Sequence, residues 1–85
     1  MTTGASGGPA LRGRPLGGVP AGETVRLATV VEAGQALRAR LAAMGLVPGV
    51  ELRMMKNAGR GPVVVEVKGV RLALGRGITH RIRVE

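Results

Sequence analysis

The sequence predicts a mainly β protein, a small five-stranded β-barrel with one short α-helix inserted after the first strand. Apolar and polar residues alternate over five short segments, the period of half-buried strands. One segment, residues 35–44, has helical spacing instead. Glycine and proline separate these segments. Five short strands can form a small barrel, and closure of the barrel would remove exposed strand edges.

Length and composition indicate one domain behind a tail. The chain has 85 residues and no cysteine, so disulfides and thiolate metal ligands are excluded. Residues 1–14 are rich in glycine, alanine and proline and are predicted to be disordered, and the domain is predicted over residues 15–85. Residues 2–9 do not resemble a signal peptide. The longest apolar run, 62–65, is far shorter than the ~20 residues of a membrane span, so we expect a cytoplasmic protein without direct membrane insertion.

The domain is expected to begin with an ordered lead-in over residues 15–23. Leu16 and Val19 are its two apolar anchors and are predicted to reach the core. The first strand is predicted over residues 24–31. Its inward face is expected to consist of Val25, Leu27, Thr29 and Val31.

The helix is predicted over residues 35–44. Its apolar stripe consists of Leu37, Leu41 and Met44. Gly45 is placed to end the helix in the left-handed conformation, and Leu46 is placed to contact Leu41, as in a Schellman motif. Residues 47–50 then carry proline and glycine at the central positions of a type II turn.

The second strand is predicted over residues 50–56. Alternation places Met54 in the core and Met55 on the opposite, solvent-facing side. A flexible, glycine-rich loop is expected to follow over residues 57–61.

Residues 62–74 predict a β-hairpin that turns at Lys68 and Gly69. Its inward residues are expected to be Val63, Val65, Val67, Val70, Leu72 and Leu74. Residues 75–78 are expected to form a short connector, with one helical turn as an alternative, and residues 79–85 are expected to form the last strand. The inward residues of that strand are expected to be Ile82 and Val84.

The chain carries a formal net charge of +8 and no aromatic residue. Its arginines and lysines are scattered, without a long basic block. Proteins that bind single-stranded nucleic acid rely on aromatic stacking platforms, which this chain lacks. We therefore interpret the charge as a solvated surface rather than a nucleic-acid site, one that would favour an acidic protein partner.

The sequence lacks the residues of an enzyme. It contains no aspartate, its five glutamates form no evident acid–base pair, and no glycine-rich phosphate loop follows a strand. We therefore predict no catalytic residues and no cofactor. His80 is a weak metal-ligand candidate, with Glu66 or Glu85 as conceivable co-ligands, but a lone histidine is more often structural or solvated.

The remaining interpretation is a protein-binding module. Exposed apolar side chains framed by arginines are the expected contact residues. The protein-interface candidates are Val47, Arg53, Met55 and Arg71. A homo-oligomer stays open as an alternative assembly.

The order of these features resembles the FeoA family, bacterial ferrous iron transport protein A. The motifs that carry the resemblance are Arg40-Leu41, Met44-Gly45-Leu46, Pro48-Gly49, the Val67, Gly69, Ala73 and Leu74 series, and Ile82 with Val84. The similarity covers residues 15–85. It implies an SH3-like barrel with an inserted helix. The chain departs from the family at residues 75–77, Gly-Arg-Gly, where relatives carry helix formers.

The resemblance implies a cytoplasmic accessory of FeoB, the membrane ferrous iron transporter with a cytosolic G-protein domain. We expect the chain to bind the cytosolic region of FeoB and to support iron(II) uptake without binding iron tightly itself. Two alternatives remain at this point. One is a nucleic-acid-binding SH3-like barrel of the KOW type, which the charge would suit. The other is an activator of GTP hydrolysis by FeoB, with Arg38 and Arg53 as candidate arginine fingers.

Overall fold

The computed structural model describes residues 13–85, which form one antiparallel sheet with two short α-helices. The strands are β1 Arg14–Pro15, β2 Thr24–Val30, β3 Glu51–Lys56, β4 Val63–Val67, β5 Val70–Leu74 and β6 Ile82–Val84. The helices are α1 Gln35–Ala43 and α2 Arg76–Thr79, with a 3₁₀ turn over Leu16–Gly18. The strand order is β1-β6-β2-β3-β4-β5. The predicted mainly β class with an inserted helix is confirmed.

The described part of the chain has six strands rather than the five predicted, because β1 adds a two-residue strand. Arg14, which composition assigns to the tail, pairs with Val84 of β6 and forms an ion pair with Glu23. The predicted disorder of residues 1–12 lies outside the described residues.

The core consists mainly of aliphatic side chains, which come from nearly every element. Leu16 and Val19 are fully buried, which confirms the two anchors of the lead-in. Leu41 is the buried residue of α1, and Leu46 joins it just past the helix end. The other buried apolar residues are Val25, Leu27, Val30, Leu52, Met54, Val63, Val65, Val67, Leu74, Ile82 and Val84. The predicted inward residues of β3, β4 and β6 therefore face the core.

A β-bulge in β2 reverses the alternation that the sequence predicts for the end of this strand. Leu27 pairs with Val84 and Thr29 pairs with Arg83, so Ala28 is the extra residue on β2. After such a bulge the side chains change faces. Val30 is consequently buried at 5% exposure, whereas the predicted inward positions Thr29 and Val31 are only half-buried.

The end of α1 has the predicted Schellman geometry. The Leu46 N–H donates to Leu41 O at 2.9 Å, and the Gly45 N–H donates to Ala42 O at 2.9 Å. Gly45 has φ 88°, the left-handed region that favours glycine. The predicted apolar stripe is wrong at Met44, which is the C-cap residue and is 39% exposed.

Both predicted turns are also present. The Val50 N–H donates to Val47 O at 3.1 Å, and Gly49 has φ 93°, as the third position of a type II turn requires. Lys68 and Gly69 both have positive φ, 51° and 81°, which is the type I′ geometry of a two-residue hairpin.

The sheet does not close completely. Strand β5 lies at one end of the strand order and β1 at the other. The closure expected from the sequence is therefore not achieved along β5, which keeps one edge unpaired within residues 13–85. The start of β5 also departs from its predicted pattern, since Val70 is 57% exposed rather than buried.

The connector predicted after β5 contains the helical turn α2, and a polar clamp formed by Arg76 and Asn57 fixes it to the rest of the domain. Arg76 lies on α2 and donates to Gly61 O at 2.9 Å, to Gly17 O at 2.9 Å and to Asn57 Oδ1 at 2.5 Å. The Asn57 amide in turn donates to Gly17 O at 2.9 Å and to Val19 O at 2.8 Å. The guanidinium of Arg76 thus links α2 to the 3₁₀ turn and to the loop that follows β3. All three of its acceptors are neutral oxygens.

Neither helix within residues 13–85 is long and apolar enough to cross a membrane.

Replacing Gly45 with alanine is expected to lower the free energy of unfolding by about 1–2 kcal/mol, the cost of placing an L-residue in the left-handed region. A Cβ at Gly45 would lie 3.8 Å from Val67 Cγ1, an ordinary contact, so the backbone alone produces this cost. Gly77→Ala is the control, because Gly77 lies in α2 with open space around it. It should leave stability unchanged or raise it slightly. Urea unfolding followed by far-UV circular dichroism measures both variants, and equal losses would contradict the assignment.

Arg76→Ala is expected to lower the free energy of unfolding by about 2–3 kcal/mol, because hydrogen bonds from a charged donor are lost together. Arg60→Ala removes an exposed arginine from the same loop region and should change stability by less than about 0.5 kcal/mol. Arg76→Lys should recover little, since an ammonium cannot reach three acceptors in the fork geometry of a guanidinium. If Arg76→Ala and Arg60→Ala unfold at the same urea concentration, the clamp does not stabilise the fold.

Candidate protein-docking surface

The turn between α1 and β3 is fixed to the neighbouring strand by three hydrogen bonds. The Gly49 N–H donates to Leu27 O at 2.7 Å, and the Leu27 N–H donates to Val50 O at 2.9 Å. Arg26 Nη1 donates to Gly49 O at 2.8 Å. Together with the Schellman motif, these bonds hold residues 44–50 in one conformation.

Three large apolar side chains are exposed within residues 13–85, two of them in or beside this turn and the third at the start of β5. Met44 is 39% exposed, Val47 is 42% exposed and Val70 is 57% exposed. Met44 and Val47 flank Gly45. Val70 is the cross-strand partner of Val67, whose side chain approaches Gly45. We call Met44, Val47 and Val70 the apolar corner.

A shallow groove of about 470 Å³ lies beside the apolar corner. Its lining residues are Val47, Pro48, Gly49, Val50, Glu51 and Lys68. This volume lies within the range of binding pockets, about 300–1,000 Å³. The groove exposes backbone groups and aliphatic side chains, together with one acidic side chain, Glu51, and one basic side chain, Lys68. It can receive apolar side chains of a partner, and it contains no pair of groups suited to acid–base chemistry.

Arg53 and Arg71, two of the predicted interface residues, lie together on the outer face of the sheet. The register pairs Arg53 with Glu66 and Glu66 with Arg71, so the two arginines lie on either side of one glutamate. Thr24 of β2 pairs with Arg53 on its other side. All three charged residues belong to one row across the sheet, which we call the charged row. Both arginines are exposed.

The other two predicted interface residues have different surroundings. Val47 belongs to the apolar corner, and the structure does not place it in the charged row. Met55 is the extra residue of a second bulge, since Met54 pairs with Val65 and Lys56 pairs with Val64. Its side chain is half-buried, so less of its surface is exposed to a partner than the alternating pattern predicts.

The described residues offer no cluster of metal ligands. His80 is exposed and follows directly after α2. Within residues 13–85, no three histidine, cysteine, aspartate or glutamate side chains come close enough to hold one ion. Arg38, a candidate arginine finger, donates from Nε to Ala33 O at 3.1 Å, so its side chain is partly engaged by its own helix start.

The sequence did not identify Met44 and Val70 as surface residues. Periodicity predicts both in the core. The available signal was positional: Met44 directly precedes the glycine that ends the helix, and Val70 directly follows the hairpin turn. Periodic patterns are least informative at such positions, because the ends of elements are defined only to within one or two residues.

Comparisons with known proteins agree on one family. The FeoA domain pattern matches residues 14–85. A Methanocaldococcus jannaschii protein named as an Fe(2+) transport protein A is 37% identical over 71 residues, covering 84% of each chain. A crystal structure of FeoA, an iron uptake regulatory protein, superimposes with a TM-score of 0.76 at 29% identity, covering 85% of this chain and 93% of that one. Stenotrophomonas maltophilia FeoA, an SH3 domain protein crystallised with zinc, gives 0.71 at 31% identity, with 82% and 87% covered.

Proposed function

The chain belongs to the FeoA family, and from this premise we propose that it is a cytoplasmic accessory protein of ferrous iron uptake that binds the cytosolic region of the FeoB transporter. The M. jannaschii relative is named for Fe(2+) transport. The S. maltophilia structure is described as a candidate activating factor of ferrous iron transport. These descriptions support the same process for this chain.

The observation that carries the proposal is the apolar corner on a rigid frame. Soluble domains rarely leave large apolar side chains together on the surface without a use for them. A preorganised patch also loses little conformational entropy on binding. The corner therefore suits docking to another protein.

The charge of the chain supports a partner of opposite sign. The chain carries a net charge of +8, and two of its arginines, Arg53 and Arg71, are exposed on the outer face of the sheet. An acidic surface on the transporter would be attracted to this face and would associate faster at low salt. The sequence contains no long basic block, and the family assignment favours transport over the KOW-type alternative.

The proposed role does not use a tight iron site on this chain. A dedicated ferrous or zinc site needs several nitrogen, sulfur or carboxylate ligands at fixed positions. The sequence contains one histidine and no cysteine, and the described residues bring no ligand set together. In this proposal iron(II) is the cargo of the transporter, and the chain acts through protein contacts.

Val47→Asp is expected to weaken binding to the isolated cytosolic region of FeoB by at least about tenfold, because it places a charge in the apolar contact. Ala58→Asp introduces the same charge in the exposed loop after β3 and should change the affinity by less than about twofold. Isothermal titration calorimetry measures both, after circular dichroism has shown that the variants are folded.

Equal losses in the two aspartate variants would show that overall charge, and not the apolar corner, governs binding. If the native chain associates with neither the isolated cytosolic region nor the full transporter, the proposed function is wrong. An RNA complex at physiological ionic strength, with an affinity that falls steeply with salt, would favour the KOW-type alternative instead.

Anaerobic titration with iron(II) is expected to show no stoichiometric site with a Kd near or below about 1 μM. His80→Ala should leave the calorimetric trace unchanged, since His80 is exposed and has no ligand cluster around it. A saturable site of that affinity would contradict this part of the proposal, and its disappearance in His80→Ala would assign it to His80.

A further inference from the structure

Strand β5 has an unpaired edge. Its five residues pair with β4, and β5 is the last strand in the sheet order. Outside the ladders, no hydrogen bond within residues 13–85 involves the backbone of Val70–Leu74. The side-chain hydrogen bonds of the described residues do not reach this strand either. The outer edge of β5 is therefore free in the described part of the chain.

The hairpin geometry determines which backbone groups are free. In a two-residue type I′ hairpin, the residues that flank the turn exchange both hydrogen bonds with each other, here Val67 and Val70. Antiparallel pairs alternate, so Leu72 and Leu74 also direct their N–H and C=O groups toward β4. Arg71 and Ala73 direct theirs outward. The free edge thus offers two donors and two acceptors.

Apart from the charge of Arg71, this edge lacks the features that usually prevent strand addition. The β4–β5 pairing runs through five consecutive residue pairs without a bulge, whereas β2 and β3 are both bulged. The strand contains no proline, no glycine and no lysine, and its sequence is VRLAL. Natural proteins normally protect such an edge with charge, bulges or proline. An edge left regular and free is suited to accept another strand.

The charges across the sheet indicate which strand would fit. The charged row alternates in sign, with Arg53, Glu66 and Arg71 on β3, β4 and β5. Opposite charges on directly facing residues stabilise antiparallel pairs, and like charges destabilise them. The next position in the row, opposite Arg71, is therefore suited to a glutamate or an aspartate.

The other face of the same edge is apolar. Val70 is 57% exposed, and Leu72 is partly buried against the core. Residues on either side of the acidic position would face Val70 and Leu72, because neighbouring strand residues point to opposite faces. Apolar side chains at those positions would cover exposed aliphatic surface.

We propose that the free edge of β5 binds an extended segment of a partner protein by strand addition, with an acidic residue opposite Arg71 and apolar residues on either side of it. This recognition mode goes beyond the proposed function and rests on it only for the identity of the partner. A second copy of this chain fits less well. In an antiparallel β5–β5 pair, the free backbone groups of Arg71 in one copy would bond to those of Ala73 in the other. Alanine, and not an acidic residue, would then lie opposite Arg71. It also brings together two chains that each carry +8.

Two synthetic peptides test the edge without the transporter. In one peptide valine alternates with glutamate, and in the other valine alternates with lysine. Amide hydrogen exchange of the full chain, followed by NMR, should show fast exchange at Arg71 and Ala73 and slow exchange at Leu72 before any peptide is added. The glutamate peptide should slow exchange at Arg71 and Ala73 by at least about tenfold. The lysine peptide should not.

Two variants separate strand addition from general charge attraction. Ala73→Pro removes an outward N–H, a change that edge strands tolerate, and should abolish protection at Arg71 by the glutamate peptide. Arg71→Glu should reverse the preference, so that the lysine peptide protects the edge. Arg81→Glu changes the same charge at an exposed site near the last strand and should leave the preference for the glutamate peptide intact.

Three outcomes would overturn the proposal. Protection that survives Ala73→Pro would mean that the peptide lies on the sheet face. An unchanged peptide preference in Arg71→Glu would remove the role of the charged row. A dimer of the native chain in light scattering, dissolved by Ala73→Pro, would assign the edge to a second copy. None of these outcomes depends on binding to FeoB, so failure here and failure of the proposed function are distinguishable.

Discussion

The fold depends on the backbone of Leu27, the residue at which β2 changes neighbours. Its N–H and C=O bond to Val50 and Gly49, while in the ladder on the other side it pairs with Val84 of β6. The bulge at Ala28 follows directly and turns the strand onto β6. Because Leu27 is also 1% exposed, its side chain anchors the same point in the core. The turn that carries Val47 of the apolar corner and the bend of β2 therefore both depend on Leu27.

A core without aromatic side chains makes such backbone constraints more important. The chain has no phenylalanine, tyrosine or tryptophan, the side chains that bury the largest areas in most domains. Aliphatic burial is non-directional, so it stabilises a compact chain without selecting one arrangement of its loops. Directional hydrogen bonds supply that selection here. The Leu27 contacts fix one loop, and the clamp of Arg76 and Asn57 fixes another.

Features that depend on neighbouring residues could be predicted from the sequence. The helix end at Gly45 and the hairpin turn at Lys68 and Gly69 follow from φ preferences that a few residues decide. The bulge at Ala28 and the exposure of Met44 could not, because they depend on which strands and surfaces meet across the fold. For the candidate site, the sequence predicted Val47 and the two arginines of the charged row as contact residues. It did not show that these residues lie on different surfaces.

The two surfaces of interest meet at Val70. This residue belongs to the apolar corner and is also the first residue of the free β5 edge. Specific protein interfaces bury about 800 Å² on each partner, more than a five-residue strand edge or three apolar side chains are expected to supply alone. A segment added along β5 would lead past the hairpin turn at Lys68, which lines the groove beside Val47. A partner that used both surfaces could reach the size of a specific interface on a domain this small. Of the two, the edge would set the register of that partner and the corner would add apolar contact area.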